Sequence, residues 1–174
     1  MPVRAFTQTS LAQFLCAAGD SEAEQACAQG IALARASGSR RYESLCLHAL
    51  ASACLQHGRR AEAKQHLEAA LGLARETGLG FLGAALYGGL ARAAGNAEER
   101  AQALREGEAL LQQPCLSHCR LWFYRDAIDA CMAAAQWDLG ARYAAELEAF
   151  TGDEPPPWVA SIVGRFRAAQ DRRS

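Results

Sequence analysis

The string Cys115-Leu116-Ser117-His118-Cys119 sets two thiols and an imidazole close together. Soft sulfur and ring nitrogen are the donors that zinc prefers. Zinc sites usually add CxxC pairs and a second ligand pair elsewhere, and neither is visible. The string therefore reads as a helix N-terminus capped by Ser117, with its cysteines as small apolar packing. His48, His57 and His66 form a second set. A general base needs a nucleophile or a substrate pocket within reach, and the sequence supplies neither, so these histidines read as exposed or groove-lining. The densest aromatic cluster is Trp122-Phe123-Tyr124. Consecutive helical residues point about 100° apart, so one or two of these rings pack between helices and one is free to line a groove. No GxSxG elbow, HExxH pair or EF-hand loop occurs. Glu68, Glu98, Glu99, Glu106 and Glu108 lie among basic residues, as on a solvated helix face. The sequence thus predicts a protein that is not an enzyme, with no catalytic residue, metal or cofactor.

The elements that position these groups follow from composition. The chain has 174 residues, 51% hydrophobic and 21% charged, one domain's worth of globular sequence. It holds only three Val, three Ile and four Thr, while Ala makes up roughly a fifth of it. That leaves too few β-branched residues for an ordinary sheet and favours helix throughout. The fold class is all-α. A net charge of -1 gives no basic excess for nucleic acid and no reason to expect an anionic membrane surface. Seven cysteines, an odd number without a framework spacing, point to free thiols in a reducing compartment. The apolar stretch Leu11 to Ala18 is interrupted by Gln13 and makes a poor signal peptide. No run approaches the ~18 apolar residues of a membrane span. The expected localisation is cytoplasmic.

Turn-like strings recur about every forty residues: Ala17-Ala18-Gly19-Asp20, Gln56-His57-Gly58-Arg59, Ala93-Ala94-Gly95-Asn96 and Ala134-Ala135-Gln136-Trp137. Ser21 with Glu24, and Asn96 with Glu99, have capping-box spacing. Gly38 and Gly78 follow similar helix ends and mark C-caps. Pro157 is placed to open a last helix. The predicted helices span 6–18 and 21–36, 41–57 and 60–76, 79–94 and 97–113, 118–135 and 138–151, with a ninth at 157–170. They form four helix pairs, at about 6–38, 41–78, 79–114 and 117–151, and a C-terminal capping helix. Each pair is too short to bury its apolar face alone, and stacking the pairs yields an α-α superhelix. Gly83, Gly88 and Gly89 fall inside a predicted helix, where close packing or a hinge would explain them.

The segment Leu50-Ala51, Cys54, Gly58, Ala63, Leu67, Ala70 resembles a tetratricopeptide repeat, with Cys54 where an aromatic is usual. That resemblance implies a solenoid with a concave groove. In its register the groove-facing positions are Leu45, His48, Ser52 and Gln56, then Leu82, Ala85, Gly89 and Arg92, then Trp122, Arg125, Asp129 and Met132. The groove candidates are His48, Ser52, Gln56, Arg92, Trp122, Arg125 and Asp129, because Trp and Arg anchor binding hot spots. The plainer alternative puts Trp122 under the 152–157 linker and pairs Arg125 with Asp129 at i,i+4.

The stretch from Ser117 through Trp122-Phe123-Tyr124-Arg125-Asp126, Trp137-Asp138 and Arg142-Tyr143 to Glu154-Pro155-Pro156-Pro157-Trp158 resembles the C-terminal repeat region of bacterial signalling proteins that join a cyclase to a regulatory ATPase module. No GxxxxGK[ST] loop is present, so the resemblance implies the repeat module alone, as a fragment or a stand-alone relative. It implies a non-catalytic scaffold that holds a protein or peptide partner, or another domain of a larger signalling protein. The alternative is a small-molecule-sensing arm of the kind found in ATPase-type transcription regulators. A deep enclosed pocket near Trp122 and Gly88 would favour the small ligand, and an open trough would favour a peptide.

Overall fold

Alanine-rich, amphipathic segments punctuated by glycine give helices joined by tight turns. The computed structural model describes residues 2–19 and 22–172, and no strand occurs among them. The helices are α1 (Pro2–Ala18), α2 (Ala23–Ala36), α3 (Arg40–Gln56), α4 (Arg60–Thr77), α5 (Gly83–Ala93), α6 (Ala97–Leu111), α7 (Ser117–Ala133), α8 (Trp137–Thr151) and α9 (Pro157–Asp171). No helix among the described residues is long and apolar enough to cross a membrane.

Each helix packs on its chain neighbour from α1 to α9. The odd-numbered helices also touch in succession, α1 on α3, α3 on α5, α5 on α7 and α7 on α9. They form an inner row, and α2, α4, α6 and α8 lie along its outer side. The core is graded along this row. At the N-terminal end it is built of Ala and Cys: Ala12, Cys16, Ala26, Cys27, Ala49 and Ala53. Leucines take over in the middle, with Leu67, Leu71, Leu82 and Leu86. At the C-terminal end Phe123, Tyr124, Tyr143 and Phe166 fill the space between α5, α7, α8 and α9.

The turns carry the expected chemistry with local departures. After α2 and α3 the chain enters the left-handed region at Gly38 and Gly58. There Ser39 N–H donates to Ala34 O at 2.9 Å and Arg59 N–H to Cys54 O at 2.9 Å, closing Schellman motifs. After α7 the same bond runs from Gln136 N–H to Cys131 O at 2.9 Å, but the left-handed residue is Ala135, at φ 55°. Asn96 caps α6, its Oδ1 accepting from Glu99 N–H at 2.8 Å, while Glu99 Oε2 accepts from Gly95 N–H at 3.2 Å. Ser21 lies outside the described residues. Ser117 is not a cap: it is the first residue of α7, after an extended Leu116. Leu116 N–H is held by Gly80 O at 3.1 Å, which fixes where that helix begins.

The predicted helix at 79–94 starts late. Leu79–Phe81 form a single 3-10 turn, and Leu82 at φ -146° separates it from α5. The cause is tertiary. A Cβ on Gly80 would lie 2.9 Å from Pro114 O, and Phe81 O accepts from His118 Nε2 at 2.7 Å and from the Cys119 thiol at 2.8 Å. The turn is docked on the start of α7. Close packing also accounts for the mid-helix glycines: a Cβ on Gly88 would meet Phe123 Cα and O at 3.1 Å, and one on Gly89 would meet Leu67 Cδ2 at 2.8 Å.

Two substitutions should move stability in opposite directions. A Cβ on Gly107 would lie 2.2 Å from Cε2 of Phe123, a fully buried ring held edge-on by Tyr143. Gly107→Ala should cost about 1–3 kcal/mol through overpacking. Ala135→Gly removes a Cβ from a left-handed, exposed position and should add about 1 kcal/mol. Urea denaturation midpoints of the two variants against wild type check both signs.

Candidate functional site

Residues three or four apart share one helix face. On α3 that rule aligns His48, Ser52 and Gln56. On α7 it aligns Trp122, Arg125 and Asp129, and near the end of α5 it places Arg92 opposite them. All seven groove candidates line one cavity of about 570 Å³. The remaining walls come from α1, with Gln13 and Cys16, and from α9, with Trp158, Ser161, Ile162 and Arg165. The five odd-numbered helices of the inner row therefore all contribute. A second cavity, of about 430 Å³, adjoins the first and shares Arg92, Asp129 and Arg165 with it.

Charge in the cavity is organised around Asp126, which is 1% exposed. Arg125 engages both carboxylate oxygens, Nε at 3.0 Å and Nη2 at 3.2 Å. Arg92 Nη1 donates to Oδ1 at 2.9 Å. Burial alone would raise the Asp126 pKa, but Arg125 and Arg92 outweigh it and hold the carboxyl below its usual value. The network continues outward. Arg92 Nη2 lies 3.5 Å from Asp129 Oδ2, and Arg165 Nη2 donates to Asp129 Oδ1 at 3.0 Å. A chain of alternating charge, Arg125, Asp126, Arg92, Asp129, Arg165, thus ties α5, α7 and α9 together. Gly88 permits the approach: a Cβ there would come within 3.2 Å of Asp126 Cβ.

The aromatic side of the cavity is a stack. Trp122 lies over His48, ring centroids 5.2 Å apart and planes 19° from parallel. His118 meets Trp122 at 4.8 Å and is fixed by donating to Phe81 O. Trp122 therefore packs on α3 and not under the 152–157 linker. Arg125 pairs with Asp126, and Asp129 is taken by Arg92 and Arg165, so the i,i+4 pairing of Arg125 with Asp129 does not form. His48 is 4% exposed, and its Nε2 is buried with no hydrogen-bond partner among the described residues. Burial lowers the His48 pKa to about 4; Asp126 opposes this, and Arg125, His118 and Arg92 reinforce it. The ring is neutral at pH 7.

The other sequence candidates lie elsewhere. His57 Nδ1 bonds Ala53 O at 2.9 Å and His66 sits on α4, so the three histidines do not meet. Cys119 and His118 face backbone carbonyls, and no group of three or more potential metal-ligating side chains occurs among the described residues.

Sequence reasoning passed over two contributors. Asp126 interrupts the buried stripe Cys119, Phe123, Ala127, Ala130, and an acid on a core face is itself a signal of a buried ion pair. Trp158, Ser161, Ile162 and Arg165 share one face of α9 by the same three-four rule, although the segment reads as a mere cap.

Acid should expose the His48 shift. The unfolded ring takes up a proton below its ordinary pKa of 6.5, and the folded ring does so only near 4, so stability falls as pH drops through that interval. Between pH 7 and pH 5 the loss should be about 2 kcal/mol from this group. The Asp126 contribution, from a lowered carboxyl, is lost only at still lower pH. His48→Phe keeps the stack and should flatten the pH 5–7 slope in urea titrations; an unchanged slope would assign the titration to another group. Against family models, curated proteins and solved structures the chain finds no match.

Proposed function

We propose that the chain is a non-catalytic binding module, built as a tetratricopeptide-like α-solenoid, that takes a small molecule into the cavity on its inner row. The observation that carries this is the convergence of five helices on one space of about 570 Å³. That volume lies within the range of small-molecule sites, about 300–1,000 Å³. The lining fits as well: apolar rings supply area, and a few convergent charged groups supply orientation. The chemistry speaks for binding over turnover. Arginine does not exchange its proton at neutral pH, both carboxylates are ion-paired, and a histidine at about 4 is a weak base at pH 7.

The adjoining second cavity favours one other reading. An extended peptide of a protein partner could run past Arg92, Asp129 and Arg165 from one space into the next, as the resemblance to signalling scaffolds suggests.

Thermal-shift screening of a small-molecule library tests the proposal. A ligand present at about a hundred times its Kd should add about 2.7 kcal/mol, a shift of about 5–10 °C for a chain of this size. The shift should vanish in Trp122→Ala, whose fold is verified by circular dichroism, and persist in Met132→Ala, which lines only the second cavity. A ligand weakened equally by both variants spans both spaces, and the peptide reading then replaces the small-molecule one.

A further inference from the structure

We propose that the cavity is a site for a small organic monocarboxylate, its carboxylate set on Arg92, Arg125 and Arg165 and its apolar body against Trp122, Trp158 and Ile162. This rests on the small-molecule reading above and names the class of ligand.

The first ground is charge. Three guanidiniums face two carboxylates, Asp126 and Asp129, across the cavity wall, and His48 adds none at neutral pH. One positive charge is left over. The second ground is hydrogen-bond supply. A guanidinium carries five N–H donors and no acceptor. The network uses two of those on Arg125, one on Arg92 and one on Arg165, with Arg92 Nη2 in a longer ion-pair contact to Asp129. The remaining donors lie in the lining of a cavity whose carboxylates are already taken. Paired N–H donors on a planar fork match a carboxylate. A second negative charge would have to compete with Asp126 and Asp129 for the same three cations, which favours a monoanion.

The third ground is the apolar lining, which is independent of the arginines. The indole rings of Trp122 on α7 and Trp158 on α9, with Ile162 one turn after the second, supply the apolar surface that the rest of the molecule needs.

Matched acid and amide pairs test the class directly: 2-naphthoate with 2-naphthamide, and hexanoate with hexanamide, titrated by calorimetry at pH 7. Each acid should bind at least about tenfold more tightly than its amide, the value of one charge-assisted contact. Arg165 is 58% exposed on its side chain, so Arg165→Met should fold and lower the acid-over-amide ratio of each pair at least about threefold, and an unchanged ratio would overturn the three-arginine site. Added NaCl should weaken the acids and spare the amides. Equal affinity within each pair, or amides binding more tightly, would overturn the proposal. So would inorganic phosphate binding more tightly than 2-naphthoate. If no acid binds while a neutral library compound stabilises the protein through Trp122, the monocarboxylate is wrong and the small-molecule reading stands. If neither acids nor library compounds bind, both fall.

Discussion

The inner row depends on one buried charge. Asp126 sits on the core face of α7, where an unpaired carboxylate would be prohibitively costly. Arg125 on the same helix takes both of its oxygens, and Arg92 reaches it from α5. The second of these contacts sets the spacing of two helices. It requires α5 to lie close against α7, and Gly88, one turn before Arg92, has no side chain to hold them apart. Arg92 then has a second nitrogen for Asp129, and Asp129 a second oxygen for Arg165 of α9. A carboxylate that must be neutralised in the core thus leads, step by step, to the polar wall of the cavity.

Small residues do the corresponding work on the outer helices. Gly107 and Gly140 each face an aromatic ring, Phe123 and Phe166, at distances no Cβ could share. Gly30 faces the Cys46 thiol in the same way. Close approach lets a chain with few large residues at its N-terminal end still bury a continuous core. It also leaves the bulky rings where they shape the site. Of Trp122, Phe123 and Tyr124, the last two turn into the core and the first turns to the cavity, as the 100° step between helical neighbours demands.

What was legible in the sequence follows from that same regularity. Helix positions depend on local caps and periodicity, so among the described residues seven helices begin and end within two residues of their predicted bounds, while α1 starts four residues early and α5 four late. The rows His48-Ser52-Gln56 and Trp122-Arg125-Asp129 were readable because a face is fixed by spacing alone. Which partner each member finds is not local. Trp122 meets His48 across more than seventy positions of chain, and no periodicity encodes that stack. The late start of α5 has the same origin, since Gly80 and Phe81 are claimed by Pro114, His118 and Cys119 on another element. The role of α9 was hidden for a different reason. A terminal helix is expected to present a polar face and close the array, and Ser161 and Arg165 satisfy that expectation even though they face inward.

That inward face changes the electrostatics of the whole site. Without α9 the inner row would be an open trough in which Asp129 and the arginines met bulk water, where ion pairs count for little. With α9 in place, Trp158 and Ile162 line the same space and the Asp129 side chain is only 21% exposed, so its pairs act through a lower effective dielectric than fully solvated ones. The charges that are paired become structurally important, because Arg165 closes onto Asp129 and links the last helix to the row. His48 Nε2, sealed behind the Trp122 stack, has no partner among the described residues, while the unused guanidinium N–H donors stay open to the cavity. The last helix is therefore the element that ties the charged wall of the inner row to the C-terminal end of the fold.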